Sequence, residues 1–223
     1  MTIMVVNKQG LSDQVYGTLK QQILDQQIAP GARLNINMQA KTLGVSSTPV
    51  REALNRLVAE RLVISEHYSG YRVAPPIGVR FVNDLLDYRI VIEGHCALTG
   101  APKATRSTLQ AMAAAHRKMA NTERIGTRYE EYRQFVAADN AFHELIVDCA
   151  GNQVMSEHYR SLNAINLQSR LYLHRSGGAN SEEVIGEHKR ILEAFENKDG
   201  VAARDAIVSH LEGGRRRLSG LSR

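Results

Sequence analysis

Apolar residues recur every four positions near the start of the chain: Leu11, Val15, Leu19 and Ile23. This spacing is that of one helix face, so it predicts an amphipathic helix over residues 11–27. The sequence Ile28-Ala-Pro-Gly31 interrupts the pattern with two residues that end helices. The chain therefore opens with one helix that has a buried side.

The next periodic stretch, residues 36–57, predicts two short helices joined by a tight turn. Met38–Leu43 forms the first helix, and Gly44 can take the positive φ that ends it. Ser46, Ser47 and Thr48 can cap the second helix, and Pro49 suits its first position. An apolar stripe follows, made of Val50, Ala53, Leu54 and Leu57. The polar tip of this second helix is what a DNA recognition helix needs.

Two β-prone runs, Leu62–Ser65 and Tyr71–Val73, flank a turn-forming segment, so they predict a hairpin. The order helix, helix, helix, hairpin is that of a winged helix-turn-helix. Residues 74–78 contain two prolines and read as a linker. We therefore expect a DNA-binding domain over residues 1–76.

Everything beyond residue 78 shows helical periodicity, with glycine or proline at each break. The predicted helices are 79–99, 105–122, 127–149, 152–175, 181–197 and 200–218. Short connections favour an antiparallel all-α bundle over residues 77–223, so the whole chain is expected to be mainly α.

The charge distribution agrees with this division, and the cysteines indicate the cellular compartment. The net charge is +5, and residues 1–76 hold eight Lys or Arg against five Asp or Glu. A basic excess in the smaller domain is compatible with nucleic acid. The two cysteines, Cys96 and Cys149, lack metal-binding spacing, and there is no signal-peptide pattern or long apolar run. These features predict a cytoplasmic protein with no membrane segment.

The segment Leu43–Leu54, preceded by Pro30–Leu34 and followed by Ser69–Val73, resembles the winged-helix domain of GntR-family bacterial transcription regulators. The helical remainder resembles the FCD domain of the FadR subfamily. The resemblance implies a homodimer on a palindromic operator. It also implies a C-terminal domain that senses a small molecule, often a carboxylate, and often through a bound metal.

The resemblance implies DNA contacts from a set of polar residues: Arg33, Ser46, Thr48, Arg51, His67 and Gly70. Two positions depart from the family pattern. Ser47 stands where many members have a base-reading Arg, which should redirect readout of guanine. Arg61 stands where many have Gly, so either its φ is strained or the helix ends differently.

A second set of polar residues lies in the middle of the C-terminal domain. Asp139 and His143 are four residues apart, so they project from one helix face, on the side of Phe135, Phe142 and Ile146. A carboxylate on an apolar stripe needs a partner, which can be a metal ion, an arginine or a helix N-terminus.

Seven histidines have apolar neighbours at helical spacing, so apolar placement alone does not choose among them. The family resemblance selects His188 and His210 to join Asp139 and His143. Three imidazoles and one carboxylate suit Zn, Ni, Fe or Mn. The alternative is a buried polar network without metal.

Arg89 lies on an apolar face, where it either pairs with Glu93 or anchors an anionic effector. Asn166 and Arg170, on the helix predicted over residues 152–175, are further candidates for effector binding. The cluster Arg215-Arg216-Arg217 reads as a solvated helix end, with a role in DNA binding as the alternative.

The expected function is a transcription regulator controlled by a small carboxylate, not an enzyme. Two alternatives stay open: a metal-dependent helical-bundle enzyme, which would use a metal-bound water, and a DNA-binding architectural protein without an effector.

Overall fold

A computed structural model describes residues 8–67, 70–121, 128–175 and 181–219 of the chain. The described residues divide into two compact units. The first holds those up to Pro76 together with Arg128–Glu130, and the second holds the remainder from Ile77 onward. None of the described helices is long and apolar enough to cross a membrane. The mainly helical fold with a small sheet confirms the predicted fold class.

The first unit is built from helices with a small antiparallel sheet. Its elements in chain order are α1 (Lys8–Leu24), β1 (Arg33–Leu34), α2 (Ile36–Leu43), α3 (Ser47–Ala59), β2 (Val63–Glu66) and β3 (Gly70–Val73). β3 lies between β1 and β2, with Arg72 opposite both Arg33 and Ile64. The hairpin β2–β3 was predicted. The two-residue strand β1 was not, because two residues cannot display an alternating pattern.

The turn between α2 and α3 follows the predicted chemistry in part: Ser46 occupies the N-cap position of α3, but its side chain makes no capping hydrogen bond. The Asn35 side chain caps α2 by accepting from the Met38 N–H at 3.0 Å, so the helix begins two residues before Met38. Gly44 ends it with a φ of 67°. The prediction that Pro49 is the first residue of α3 was wrong: α3 begins at Ser47 and Pro49 is its third residue. Proline fits there because N–H groups of the first turn have no intrahelical acceptor.

The predicted apolar stripe of α3 is fully buried and packs against α1. α3 ends at Ala59, and Arg61 just beyond it has a φ of 57°. Arg61 thus takes the left-handed conformation that glycine adopts easily, the first of its two predicted alternatives.

The second unit is helical throughout its described part. Its elements are α4 (Val79–Gly100), a 3₁₀ turn (Ala101–Lys103), α5 (Arg106–Ala120), α6 (Tyr129–Cys149), α7 (Gln153–Ser161), α8 (Asn163–Arg175), α9 (Ser181–Glu196) and α10 (Gly200–Ser219). α10 packs along α4 and α9, and α5 packs against α9.

The prediction of one continuous helix over residues 152–175 was wrong, because the chain breaks at Leu162 between α7 and α8. The Ser161 hydroxyl donates to the His158 carbonyl oxygen at 2.6 Å, and the Asn163 amide donates to Glu144 at 2.6 Å. A local bond to the backbone, such as that of Ser161, competes with helix continuation, and apolar periodicity does not reveal it.

Candidate metal centre and DNA-facing surface

Helix α6 places Asp139 and His143 one turn apart on its buried side, as predicted. Asp139 is 5% exposed and His143 is fully buried, next to the buried Phe142 and Ile146. The Asp139 carboxylate also accepts a hydrogen bond from Nε of Arg170. A buried carboxylate and a buried imidazole therefore share one helix face.

Helices α9 and α10 bring His188 and His210 to the same place. One ligand atom from each of Asp139, His143, His188 and His210 lies within 4.8 Å of the others. Nε2 of His188 is 3.0 Å from Oδ1 of Asp139 and 3.2 Å from Nε2 of His143. By contrast, His116 bonds the Ile185 carbonyl oxygen and His158 packs edge-on against Tyr88. The fold thus assembles the four predicted residues, which we call the Asp-His₃ cluster.

Each imidazole of the Asp-His₃ cluster is held through its Nδ1 atom. His143 Nδ1 is 2.6 Å from Oε2 of Glu93, and His210 Nδ1 is 2.7 Å from Oε2 of Glu187. His188 Nδ1 is 2.8 Å from the Val184 carbonyl oxygen. A hydrogen bond at Nδ1 fixes the tautomer whose lone pair is on Nε2. All three Nε2 atoms are thereby prepared to act as acceptors or ligands.

The electrostatics of the cluster favour neutral imidazoles. Burial is the main cause that lowers the pKa of His143, His188 and His210. A neighbouring imidazole lowers the pKa of His188 and of His210 further. Neutral imidazole is the form that binds a metal ion, and three imidazoles with one carboxylate are a ligand set of divalent transition metals. The residues present therefore fit a metal ion.

Glu93 connects the cluster to α4. It accepts from Arg89 Nε at 2.6 Å and from the Tyr159 hydroxyl at 2.7 Å, in addition to its contact with His143. Burial acts to raise the pKa of Glu93, but Arg89 and His143 outweigh it and hold the pKa well below the ordinary value. The sequence indicated only the pair with Arg89, because the contacts with α6 and α7 join residues distant in the chain.

No sequence pattern pointed to Glu187, and the interpretation of Arg217 as part of a solvated helix end was wrong. Arg217 bonds both carboxylate oxygens of Glu187, at 2.9 and 3.1 Å. Burial acts to raise the pKa of Glu187, but hydrogen bonds from His210 and Arg217 lower it to about 2. The seven-residue spacing of His210 and Arg217 on α10 was the signal for a shared face.

The predicted effector-binding residues are all buried, and two of them are connected to the cluster: Arg170 bonds Asp139, and Arg89 bonds Glu93. Asn166 is fully buried, and Arg89 and Arg170 are 4% and 6% exposed. Both amide atoms of Asn166, Nη2 of Arg89 and Nη2 of Arg170 have no hydrogen-bond partner in the described part of the chain. Buried polar atoms are seldom left unpaired, so these four atoms are available to a ligand.

In the first unit, a recess of about 370 Å³ collects several of the predicted DNA-contacting residues. Arg33, Ser47, Arg51 and Gly70 line it. Ser46, Thr48 and His67 are exposed but do not line it. Among the described residues, neither Arg33 nor Arg51 has an ion-pair partner, whereas Arg56 pairs with Asp13. Two unpaired guanidinium groups thus lie at one concave surface.

Residues 11–73 match the family model described as "Bacterial regulatory proteins, gntR family". Residues 84–213 match the model of the FCD domain. Both models were expected from the sequence resemblance, and together they account for most of the chain.

Curated relatives and solved structures agree with these matches. The chain is 26% identical over 197 residues to the uncharacterized HTH-type transcriptional regulator YdhC of Bacillus subtilis, covering 88% of this chain and 86% of the relative. It is 26% identical over 237 residues to the galactonate operon transcriptional repressor of Escherichia coli, covering 96% and 98%. A GntR regulator structure from Rhodococcus sp. RHA1 shares the fold with a TM-score of 0.70 at 23% identity, covering 95% and 98%.

Proposed function

Because this chain belongs to the GntR family of bacterial transcription regulators and carries an FCD domain, we propose that it is a metal-containing sensor of a small carboxylate. In this proposal residues 1–76 bind an operator, residues 77–223 bind the metal and the effector, and the chain acts as a homodimer on a palindromic site. The relatives' names, which include transcriptional repressors, support a role in transcription regulation.

The DNA-binding part rests on the recess at the start of α3. Arg33 and Arg51 supply positive charge that no described carboxylate neutralises, and phosphate neutralisation gives most of the affinity of such proteins. Ser46, Ser47 and Thr48 present hydroxyl groups at the exposed helix N-terminus, where N–H groups favour phosphate. Since Ser47 replaces a base-reading Arg, Arg51 is the side chain we assign to base-edge readout.

Three imidazoles, each held by a hydrogen bond at Nδ1, converge with the carboxylate of Asp139. This observation carries the proposal of a metal site. We assign Asp139, His143, His188 and His210 as the metal ligands. A bound Zn, Ni, Fe or Mn ion would supply a Lewis acid that holds a carboxylate oxygen of the effector. Glu93 and Glu187 would fix the orientation of two of the imidazoles.

The effector part rests on the unpaired buried atoms of Arg89, Arg170 and Asn166. Two guanidinium N–H donors fit a carboxylate, and guanidinium groups are well suited to bind one. Arg170 is paired with Asp139 and Arg89 with Glu93, and each guanidinium keeps its Nη2 atom without a partner among the described residues. The Asn166 amide offers a donor and an acceptor, which fits a hydroxyl group. We therefore assign a small hydroxylated carboxylate as the effector.

Regulation would follow from a difference in effector affinity between two states of the dimer. An effector can shift the operator-binding state only to the extent that it binds one state more tightly. The proposal therefore requires a measurable dependence of operator affinity on the effector.

The first experiment measures binding of the purified protein to the intergenic DNA upstream of its gene, over a series of salt concentrations. We expect sequence-selective binding that weakens as salt rises. Adding galactonate, lactate or related hydroxy acids to metal-loaded protein should change the apparent affinity. Absence of a selective shift under every condition would reject the DNA-binding proposal for this region.

The second experiment uses Asn166→Leu to separate sensing from folding. The leucine removes two unpaired buried polar atoms without removing any hydrogen bond of the structure. We expect metal content and operator binding to be retained and the response to the hydroxy acid to be lost. A variant that responds like the wild type would reject Asn166 as an effector-binding residue.

A further inference from the structure

Three residues on one face of α10 surround the carboxylate of Glu187. His210, Gly213 and Arg217 are spaced by three and four residues, which places them on adjacent turns. His210 Nδ1 is 2.7 Å from Oε2 of Glu187, and Arg217 donates to both carboxylate oxygens. The carboxylate of Glu187 on α9 is therefore held by His210 and Arg217, which lie eight residues apart, counted inclusively, on α10.

Gly213 makes this arrangement sterically possible. A Cβ atom at residue 213 would lie 2.7 Å from Oε1 of Glu187 and 3.2 Å from Nη1 of Arg217. At the adjacent Gly214, a Cβ atom would have no neighbour within 4 Å. Of these two consecutive glycines, only Gly213 lies against side-chain atoms, and its missing Cβ leaves a notch in α10 that the Glu187 carboxylate fills.

The contacts leave His210 with one orientation. Since the Glu187 carboxylate is an acceptor only, His210 must carry its proton on Nδ1, and its Nε2 lone pair is directed away from Glu187. Glu187 is 5% exposed, and its charge is compensated by Arg217, whose side chain is 14% exposed. Arg217 also lies 3.1 Å from Glu183, one turn earlier on α9.

The other two imidazoles of the Asp-His₃ cluster are held by other groups. His188 Nδ1 uses a carbonyl oxygen of its own helix, and His143 Nδ1 uses Glu93, which is paired with Arg89 on α4. The orientation of His210 depends on a different ion pair, between Glu187 on α9 and Arg217 in the last turns of α10.

We propose that Glu187 and Arg217, seated in the notch at Gly213, are positioning residues that set the metal affinity of the Asp-His₃ cluster through His210. This inference rests on the proposed metal site and extends it to residues that do not touch the metal. Loss of a partner of this kind typically weakens metal binding by about 10- to 100-fold.

The test compares two single-methyl variants of the full-length protein, Gly213→Ala and the matched control Gly214→Ala. The new methyl group at residue 213 displaces the end of a flexible side chain and not the backbone, so the fold should be retained. After removal of metal with a chelator, Zn²⁺ affinity is measured by competition with a chromophoric chelator. We expect a loss of about 10- to 100-fold for Gly213→Ala and a change below about twofold for Gly214→Ala.

Glu187→Gln provides a second test of the positioning role, since the substitution keeps the shape of the side chain and removes its charge. It should weaken Zn²⁺ binding like Gly213→Ala. In the Co²⁺-loaded protein, the visible d–d bands should change in both variants and stay unchanged in Gly214→Ala. A purely structural ion pair would alter the melting temperature of the metal-free protein without altering these bands or the affinity.

The outcomes separate this inference from the proposed function. If the wild-type protein binds no Zn²⁺ or Co²⁺, the proposed metal site is rejected, and this inference with it. If the wild type binds metal while Gly213→Ala and Glu187→Gln keep its affinity and its Co²⁺ spectrum, only the positioning role is overturned.

Discussion

Nδ1 of His143 on α6 lies 2.6 Å from Oε2 of Glu93 on α4, and both side chains are fully buried. The same carboxylate accepts hydrogen bonds from Arg89 and Tyr159. One acidic residue therefore links the Asp-His₃ cluster to a neighbouring helix and to one predicted effector-binding arginine. Buried charges that share partners in this way are strongly interdependent.

Replacing Glu93 with Ala should destabilise the metal-free protein by about 3–5 kcal/mol, because it leaves the buried Arg89 without its counter-charge. Urea unfolding measures the change. The exposed Glu196, at the end of α9, provides the control: Glu196→Ala should change stability by less than about 0.5 kcal/mol. Equal effects of the two substitutions would contradict the assigned role of Glu93.

The stability of the metal-free protein should fall as the pH is lowered through about 6.5, the ordinary pKa of histidine. Burial lowers the pKa of His143, His188 and His210 in the folded state. Below that pH the unfolded chain binds protons that the folded chain does not, so acid favours unfolding. Urea midpoints between pH 8 and pH 5 test this. His188→Asn should make the dependence shallower, whereas a stability that rises on acidification would contradict the explanation.

Replacing Arg51 with Ala should weaken operator binding by about 1–3 kcal/mol and relax the preference for one base pair. Arg51 is exposed at the recess and has no ion-pair partner among the described residues. Fluorescence anisotropy with labelled operator measures the loss. Arg106→Ala on the exposed start of α5 is the control and should bind like the wild type. A similar loss in both variants would indicate a general charge effect.

Arg61→Gly should stabilise the protein by about 0.5–1 kcal/mol, since a left-handed φ strains any residue with a Cβ atom. The φ of 57° at Arg61 is the basis of this expectation. Ala59→Gly, at the last residue of α3, should lower the stability because glycine has a lower helix propensity than alanine. Thermal unfolding distinguishes the two variants. A lower melting temperature for Arg61→Gly than for the wild type would contradict the explanation by backbone strain.

Local chemistry made much of the fold predictable. The Gly44 turn, the buried stripe of α3 and the hairpin follow from residues close together in the chain, and their physical cause acts over one or two turns. The break at Leu162 was missed because apolar spacing does not report a local side-chain hydrogen bond such as that from Ser161 to the His158 carbonyl oxygen.

The sequence by itself determined that Asp139 and His143 share a helix face, since a four-residue spacing has that result in any α-helix. It could not choose His188 and His210 among the other histidines from their apolar neighbours. It also could not assign Glu93, Glu187 and Arg217 to the cluster. Those assignments depend on which faces of α4, α6, α9 and α10 are in contact. The contacts join residues far apart in the chain, so only the tertiary structure decides them.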